Sequence, residues 1–247
     1  MISTLGCSLE RFLLPNVCIV CERSVSQNEP DALVCGVCIT RMRPVGSGCD
    51  RCAQPLPPMG GCRFCVDWPD RFRARSGVWL GREARVVVHA LKYRHMPRLA
   101  ELAARVLTRT VPVPAGPCVL IPVPVGKKRL RRRGYNQAER LARALARRWR
   151  KPVMLDALQR VRDTTSQTAL TPERRLANVA GAFEGRQVGL LERSPGKVTR
   201  AVLIDDVLTT GATLQGAAEM LIKSNWQSVD AVTFARALPY DLSVLGH

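Results

Sequence analysis

Val202-Leu203-Ile204-Asp205-Asp206-Val207-Leu208-Thr209-Thr210-Gly211-Ala212-Thr213 is the stretch that decides the fold of this chain. An apolar segment runs into two carboxylates, then into a turn of small and hydroxyl-bearing residues. A helix follows, with an apolar stripe of Leu214, Ala217, Ala218, Leu221 and Ile222. A strand passing through a Gly-containing turn into a helix is half of a βαβ unit, the building block of a parallel sheet. In open α/β sheets, ligands sit outside the carboxyl ends of the strands, where this turn falls. Thr209, Thr210, Gly211, Ala212 and Thr213 can present consecutive backbone N–H groups, hydroxyl donors and a helix N-terminus to one phosphate. Gly211 lets the backbone turn tightly and approach the ligand. Asp205 and Asp206 would repel an anion that they faced, but suit a sugar, accepting hydrogen bonds from vicinal ribose hydroxyls. Ribose with a 5′-phosphate is the ligand this pattern describes. The alternative, a Walker B strand, needs a G-x-x-x-x-G-K-[ST] partner that the chain lacks.

Working outward, residues 118–123 and 229–235 are two further apolar runs of strand length. Helical stripes run through Leu99, Leu102, Ala103, Val106 and Leu107, and through Ala138, Leu141, Ala142, Leu145, Ala146 and Trp149. Strands alternating with helices predict an α/β fold, a largely parallel sheet flanked by helices on both faces. That grammar begins at Gly77, and residues 66–76 look like a connection to what precedes them. The expected division is a small front module over 1–70 and the α/β domain over 71–247.

The front module is defined by cysteine. Eight of the ten cysteines fall in four C-x-x-C pairs: Cys18/Cys21, Cys35/Cys38, Cys49/Cys52 and Cys62/Cys65. Disulfides would need a secreted chain, and Phe12-Leu13-Leu14 before Pro15 is too short for the core of a signal peptide. No apolar run approaches the roughly 18–20 residues that span a bilayer, so the chain is expected to be cytoplasmic. In that compartment the pairs read as two closed tetrahedral four-thiolate sites for structural Zn²⁺. The simplest pairing follows the chain, Cys18, Cys21, Cys35 and Cys38 on one ion and Cys49, Cys52, Cys62 and Cys65 on the other; a cross-brace is the alternative. Iron–sulfur ligation fits the ribbon-like spacing less well. Cys7 and Cys118 lie outside the pattern and read as small buried hydrophobes.

The formal net charge is +18 over 247 residues, which points to polyanionic partners, whether phosphorylated metabolites or nucleic acid. Residues 127–151 hold twelve Lys or Arg against the single Glu139, more than solvation requires. Arg140, Arg143, Arg147 and Arg150 fall opposite the apolar stripe of their helix, a candidate track for single-stranded DNA. Only Tyr135 and Trp149 interleave the basic stretch, however, and single-strand binders usually stack bases on aromatics.

The 202–213 stretch resembles the phosphoribosyl pyrophosphate (PRPP) motif of type I phosphoribosyltransferases almost residue for residue. Three other segments narrow the family. They are Leu91-Lys92-Tyr93, then Ile121-Pro122-Val123-Pro124 leading to Lys127-Lys128-Arg129-Leu130-Arg131-Arg132-Arg133-Gly134-Tyr135-Asn136-Gln137, and Arg162-Asp163-Thr164-Thr165-Ser166-Gln167 with Leu170, Arg174, Arg175, Asn178 and Phe183. With the cysteine pairs, they make the whole chain similar to the ComF/GntX family. The resemblance implies a double zinc ribbon on a phosphoribosyltransferase domain that binds PRPP with Mg²⁺ through Asp205, Asp206 and residues 209–213. It implies pyrophosphate contacts within 122–137, for which Lys127, Arg132 and Arg133 are candidates, and a mobile basic segment over about 162–178. It further implies a role in uptake of transforming DNA, beside single-stranded DNA and an uptake helicase. Transfer from PRPP needs no covalent nucleophile, so an active nucleobase-salvage enzyme and a PRPP sensor have the same residues. A single-strand-binding adaptor with a vestigial pocket is the third possibility.

Overall fold

In the computed structural model, residues 16–162, 181–186 and 198–237 are described. Four parallel strands form the central sheet: β1 (Phe72–Trp79), β2 (Val119–Pro122), β5 (Arg200–Leu208) and β6 (Ser228–Arg236), in the order β1-β6-β5-β2. A short antiparallel pair, β3 (Leu158–Arg160) and β4 (Phe183–Gly185), stands apart. The helices are α1 (Gly36–Thr40), α2 (Arg82–Tyr93), α3 (Leu99–Thr110), α4 (Lys127–Arg133), α5 (Gln137–Trp149) and α6 (Ala212–Lys223). None of the helices among the described residues is long and apolar enough to cross a membrane.

Side chains alternate across a strand, and here both faces are covered, which explains the unbroken apolar runs. Val202 and Ile204 of β5 pack into one half of the core with Leu120, Phe234, α3 and α5. Ala201 and Leu203, one residue out of phase, face the other half with Ile121, Ala231 and α6. The three helical stripes read from spacing coincide with α3, α5 and α6.

The segment expected to be a connection is different. Residues 72–76 are already strand β1, paired in parallel with β6 from Phe72↔Val229 to Trp79↔Arg236. Phe72, Ala74, Ser76 and Val78 point inward, while Arg73 is exposed and Arg75 half-buried. The arginines interrupt the hydrophobic signal because β1 is an edge strand, and its edge is not left open. The front of the chain covers it: Val45 N–H donates to Gly77 O (3.1 Å), Trp79 N–H to Arg43 O (2.9 Å) and Ala74 N–H to Arg51 O (2.8 Å). At the opposite edge, Leu120 N–H donates to Pro152 O and Met154 N–H to Leu120 O, both at 2.9 Å. The cysteine-rich front is therefore stitched to the sheet, not hung from it.

Candidate functional site

The two cysteine groups assemble in chain order. Sulfurs of Cys18, Cys21, Cys35 and Cys38 all lie within 4.8 Å of one another, as do those of Cys49, Cys52, Cys62 and Cys65. Tetrahedral thiolates at about 2.3 Å from Zn²⁺ stand about 3.8 Å apart. The observed separations match, with Cys21–Cys35 at 3.7 Å and Cys49–Cys65 and Cys52–Cys62 at 3.6 Å. The two four-cysteine clusters can thus each hold a structural zinc ion, with no open ligand position. Cys118 is free and buried beside the sheet; Cys7 lies outside the described residues.

A cavity of about 730 Å³ opens at the carboxyl ends of β2 and β5. Its floor is Asp205, Asp206, Val207 and Leu208, and one rim is Thr209, Gly211 and Thr213. Helix α2 contributes Arg85, His89, Lys92 and Tyr93, and the opposite wall is basic, with Lys128, Arg129, Arg132 and Arg133 joined by Arg160. Of the expected pyrophosphate contacts, Arg132 and Arg133 line this space, whereas Lys127 is exposed outside the lining. Arg133 is buried, donates to Gln137 Oε1 (2.9 Å) and lies 5.2 Å from the Tyr93 ring centroid. Gly134 ends α4 at φ +76°, and Asn136 then caps α5, accepting from Ala138 N–H (3.0 Å) and donating to Val123 O (3.0 Å). These bonds hold the basic wall against the end of β2.

The turn after β5 has the conformation its sequence requires. Gly211 has φ +84° and forms the N-cap of α6. The buried hydroxyl of Thr210 has no hydrogen-bond partner. Thr210 is not among the residues that line the cavity; Thr209, Gly211 and Thr213 are the ones the turn presents to it.

Asp206 is nearly fully buried and forms an ion pair with Lys92 Nζ at 2.7 Å. Burial opposes the charge of Lys92, but Asp206 outweighs it and holds the ammonium above its ordinary pKa. Asp205 accepts the backbone N–H of Asp206 (2.8 Å). Burial, then the adjacent Asp206 charge, pushes Asp205 up from 3.8 to about 7, with Lys92 opposing. One cation serves two carboxylates, so the pair holds a proton well above the usual carboxylate range. Because the folded pKa is the higher one, its stabilising contribution is complete below about pH 4 and is lost as pH rises through about 7. Asp205→Asn will therefore gain stability relative to the parent between pH 5 and pH 8. Urea midpoints of the two proteins across that range test this, and a constant difference would contradict the raised pKa.

The candidate DNA track is less free than its spacing suggests. Arg143 Nε pairs with Glu139 Oε1 at 2.9 Å, and Arg147 pairs with Glu101 of α3. Arg150 forms the left-handed C-cap of α5, and none of the four arginines lines the cavity. Glu101 lies 46 residues from Arg147 in sequence, so spacing along α5 could not reveal it. The sequence marks Lys92 only as part of a motif, and its role as the partner of Asp206 emerges when α2 docks beside β5. Residues 163–178, expected to close over the site, lie outside the described residues.

A family profile for the phosphoribosyl transferase domain matches residues 130–241. Among curated proteins, the DNA utilization protein YhgH of Salmonella typhimurium is 27% identical over 233 residues, 91% of this chain and 99% of that protein. Competence protein F of Haemophilus influenzae is 28% identical over 210 residues, 82% and 84% of the two chains. Competence protein ComFC of Bacillus subtilis is 27% identical over 243 residues, 90% and 95% respectively. With the parallel sheet and the strand–turn–helix at its carboxyl edge, the profile defines a phosphoribosyltransferase-domain protein. The two four-cysteine clusters lie ahead of that domain, and along most of its length the chain is similar to these competence and DNA utilization proteins.

Proposed function

We propose that the chain binds PRPP in the cavity at the carboxyl end of the sheet and supports the handling of incoming DNA in natural competence. The observation that carries this reading is the turn at residues 209–213, whose αL Gly211 lines the cavity with Thr209 and Thr213, together with Asp205 and Asp206. The turn would take the 5′-phosphate, the carboxylates the ribose hydroxyls, and Arg132 and Arg133 the pyrophosphate. Lys92 Nζ lies 2.7 Å from Asp206 and orients that carboxylate at the cavity floor. Mg²⁺ bound with PRPP would neutralise the pyrophosphate. If transfer occurs, the bond from ribose C1 to pyrophosphate breaks as an acceptor nucleophile forms a bond to C1, and pyrophosphate departs with the electron pair. Positioning and charge stabilisation suffice for that step.

The link to DNA rests on the names of the relatives and on the net charge of +18. Two of the four candidate track arginines on α5 already have carboxylate partners, which favours the phosphoribosyl ligand over single-stranded DNA as the chain's primary ligand. Two structural zinc ions and a cytoplasmic location complete the reading, with residues 1–70 as the zinc module and 71–247 as the domain it serves. Calorimetry with PRPP and Mg²⁺ tests it: the parent binds, and Asp205→Asn combined with Asp206→Asn binds far more weakly, because neutral amides lose charge-assisted acceptance from the ribose. Equal affinity in both proteins would exclude the sugar role.

A further inference from the structure

The second four-cysteine cluster lies close to the turn at residues 209–213, and an aromatic side chain, Trp68, packs between them. Trp68 follows Cys65 by three residues, and its N–H donates to Cys65 O at 3.2 Å. Its indole is buried and packs between Phe64 and Phe72, with ring centroids at 5.7 and 4.7 Å. The same indole is pressed against Gly211: a methyl group there would lie 2.8 Å from Cζ2 and 3.3 Å from Nε1 of Trp68. Trp68 is fixed from behind by Arg51, which donates to Trp68 O (2.7 Å) and Pro69 O (2.9 Å). One turn into α6, Gln215 Nε2 donates to Asp67 O at 3.2 Å, a second tie between the same two segments.

The strand side is joined as well. Arg236, fully buried at the end of β6, donates to Cys52 O and Gln54 Oε1 and lies 4.5 Å from the Phe64 ring centroid. Arg236 is also the register partner of Leu208, the last residue before the turn. Among the described residues the first cluster packs elsewhere: Cys18, Cys35 and Cys38 lie with α2 and α3 in the other half of the core.

We propose that the second four-cysteine cluster is part of the ligand site: with its metal bound, Trp68 holds the turn at residues 209–213 in its phosphate-receiving shape, and Trp68 is a positioning residue for the phosphoribosyl ligand. Metal occupancy of that cluster then governs ligand affinity, while occupancy of the first cluster does not. Glycine is conformationally permissive, so the shape of the turn at Gly211 depends on what packs against it. Trp68 supplies that constraint. The ligand chemistry rests on the PRPP reading above; the mechanical coupling does not.

The test compares four variants with the parent: Cys62→Ser in the second cluster, Cys21→Ser in the first, Trp68→Leu and Trp68→Phe. Hydrogen exchange is followed at residues 209–213 without ligand, with α5 as the reference within each protein, and PRPP affinity is measured alongside. In Cys62→Ser and Trp68→Leu the turn exchanges faster relative to α5, and PRPP affinity falls by about 10- to 100-fold, the scale of the loss of a hydrogen bond to a charged phosphate oxygen. Cys21→Ser stays close to the parent in both readouts, and Trp68→Phe recovers most of what Trp68→Leu loses. Should Cys62→Ser loosen the whole chain, α5 will exchange faster too, and Trp68→Leu, with both clusters intact, decides. Unchanged exchange at the turn in Trp68→Leu, or equal effects from the two cysteine variants in a folded chain, overturns the proposal. A parent that does not bind PRPP removes the ligand reading, while the exchange comparison still decides the coupling.

Discussion

Stripping both four-cysteine clusters with a strong chelator will unfold the chain well beyond its cysteine-rich front. A pendant ribbon would lose structure only before about residue 70, which is what the composition suggests. The structure instead makes the front the cover of edge strand β1, through hydrogen bonds from Val45, Trp79 and Ala74 across the junction. Cys52, Cys65 and Trp68 also share one core cluster with Phe72, Leu203 and Leu214. Structural zinc sites are worth about 10–16 kcal/mol in apparent binding energy. A typical domain has only about 5–15 kcal/mol of net stability, so removing two such sites leaves little margin. Circular dichroism and the emission of buried Trp226 should therefore change together, in one cooperative transition, as metal is released. Loss confined to residues before 70, with the sheet signal and Trp226 intact, would show that the front is an independent graft.

Arg236→Met should destabilise the loaded protein by about 3–5 kcal/mol, the usual cost of removing one partner from a buried charge arrangement. Methionine fills much of the volume, so the effect is mainly polar. Gln54 Oε1, which accepts from Arg236 Nε at 3.1 Å and from a second guanidinium nitrogen at 2.7 Å, would be left buried without its donors. The Cys52 carbonyl would lose its donor too. A metal bound by four thiolates carries net negative charge, and Arg236 is the buried cation beside it. Arg236→Lys should rescue only part of the loss, because one ammonium cannot reach both acceptors as the planar fork does. Denaturant midpoints at constant zinc test this; a loss below about 1 kcal/mol for methionine would mean the cluster does not need that cation.

The elements with a strong, self-contained pattern were legible from sequence. The apolar runs became β2, β5 and β6 because both of their faces are buried, and the three stripes became α3, α5 and α6. The turn after β5 was legible for a different reason: Gly211 at φ +84° and the flanking threonines are requirements of local backbone conformation, written in neighbouring residues. The C-x-x-C pairs were legible because knuckle spacing is local as well, although their pairing became visible only when the sulfurs were gathered in space.

Tertiary structure alone decided the rest. Strand β1 was hidden because Arg73 and Arg75 alternate with its buried residues, and only the front of the chain covering that edge makes their placement tolerable. The Arg-bearing face of α5 reads as an unopposed row of charge, yet Glu101 reaches it from another helix. Lys92 carries no sign in the sequence that it faces Asp206, and Trp68 none that it supports Gly211. Sequence by itself determines what is encoded within a turn, a strand or a helical period, because those preferences act between near neighbours. Which charges are neutralised, which edge is covered and which cysteine cluster packs near the turn after β5 depend on residues up to 184 positions apart, whose contacts exist only once the chain has packed.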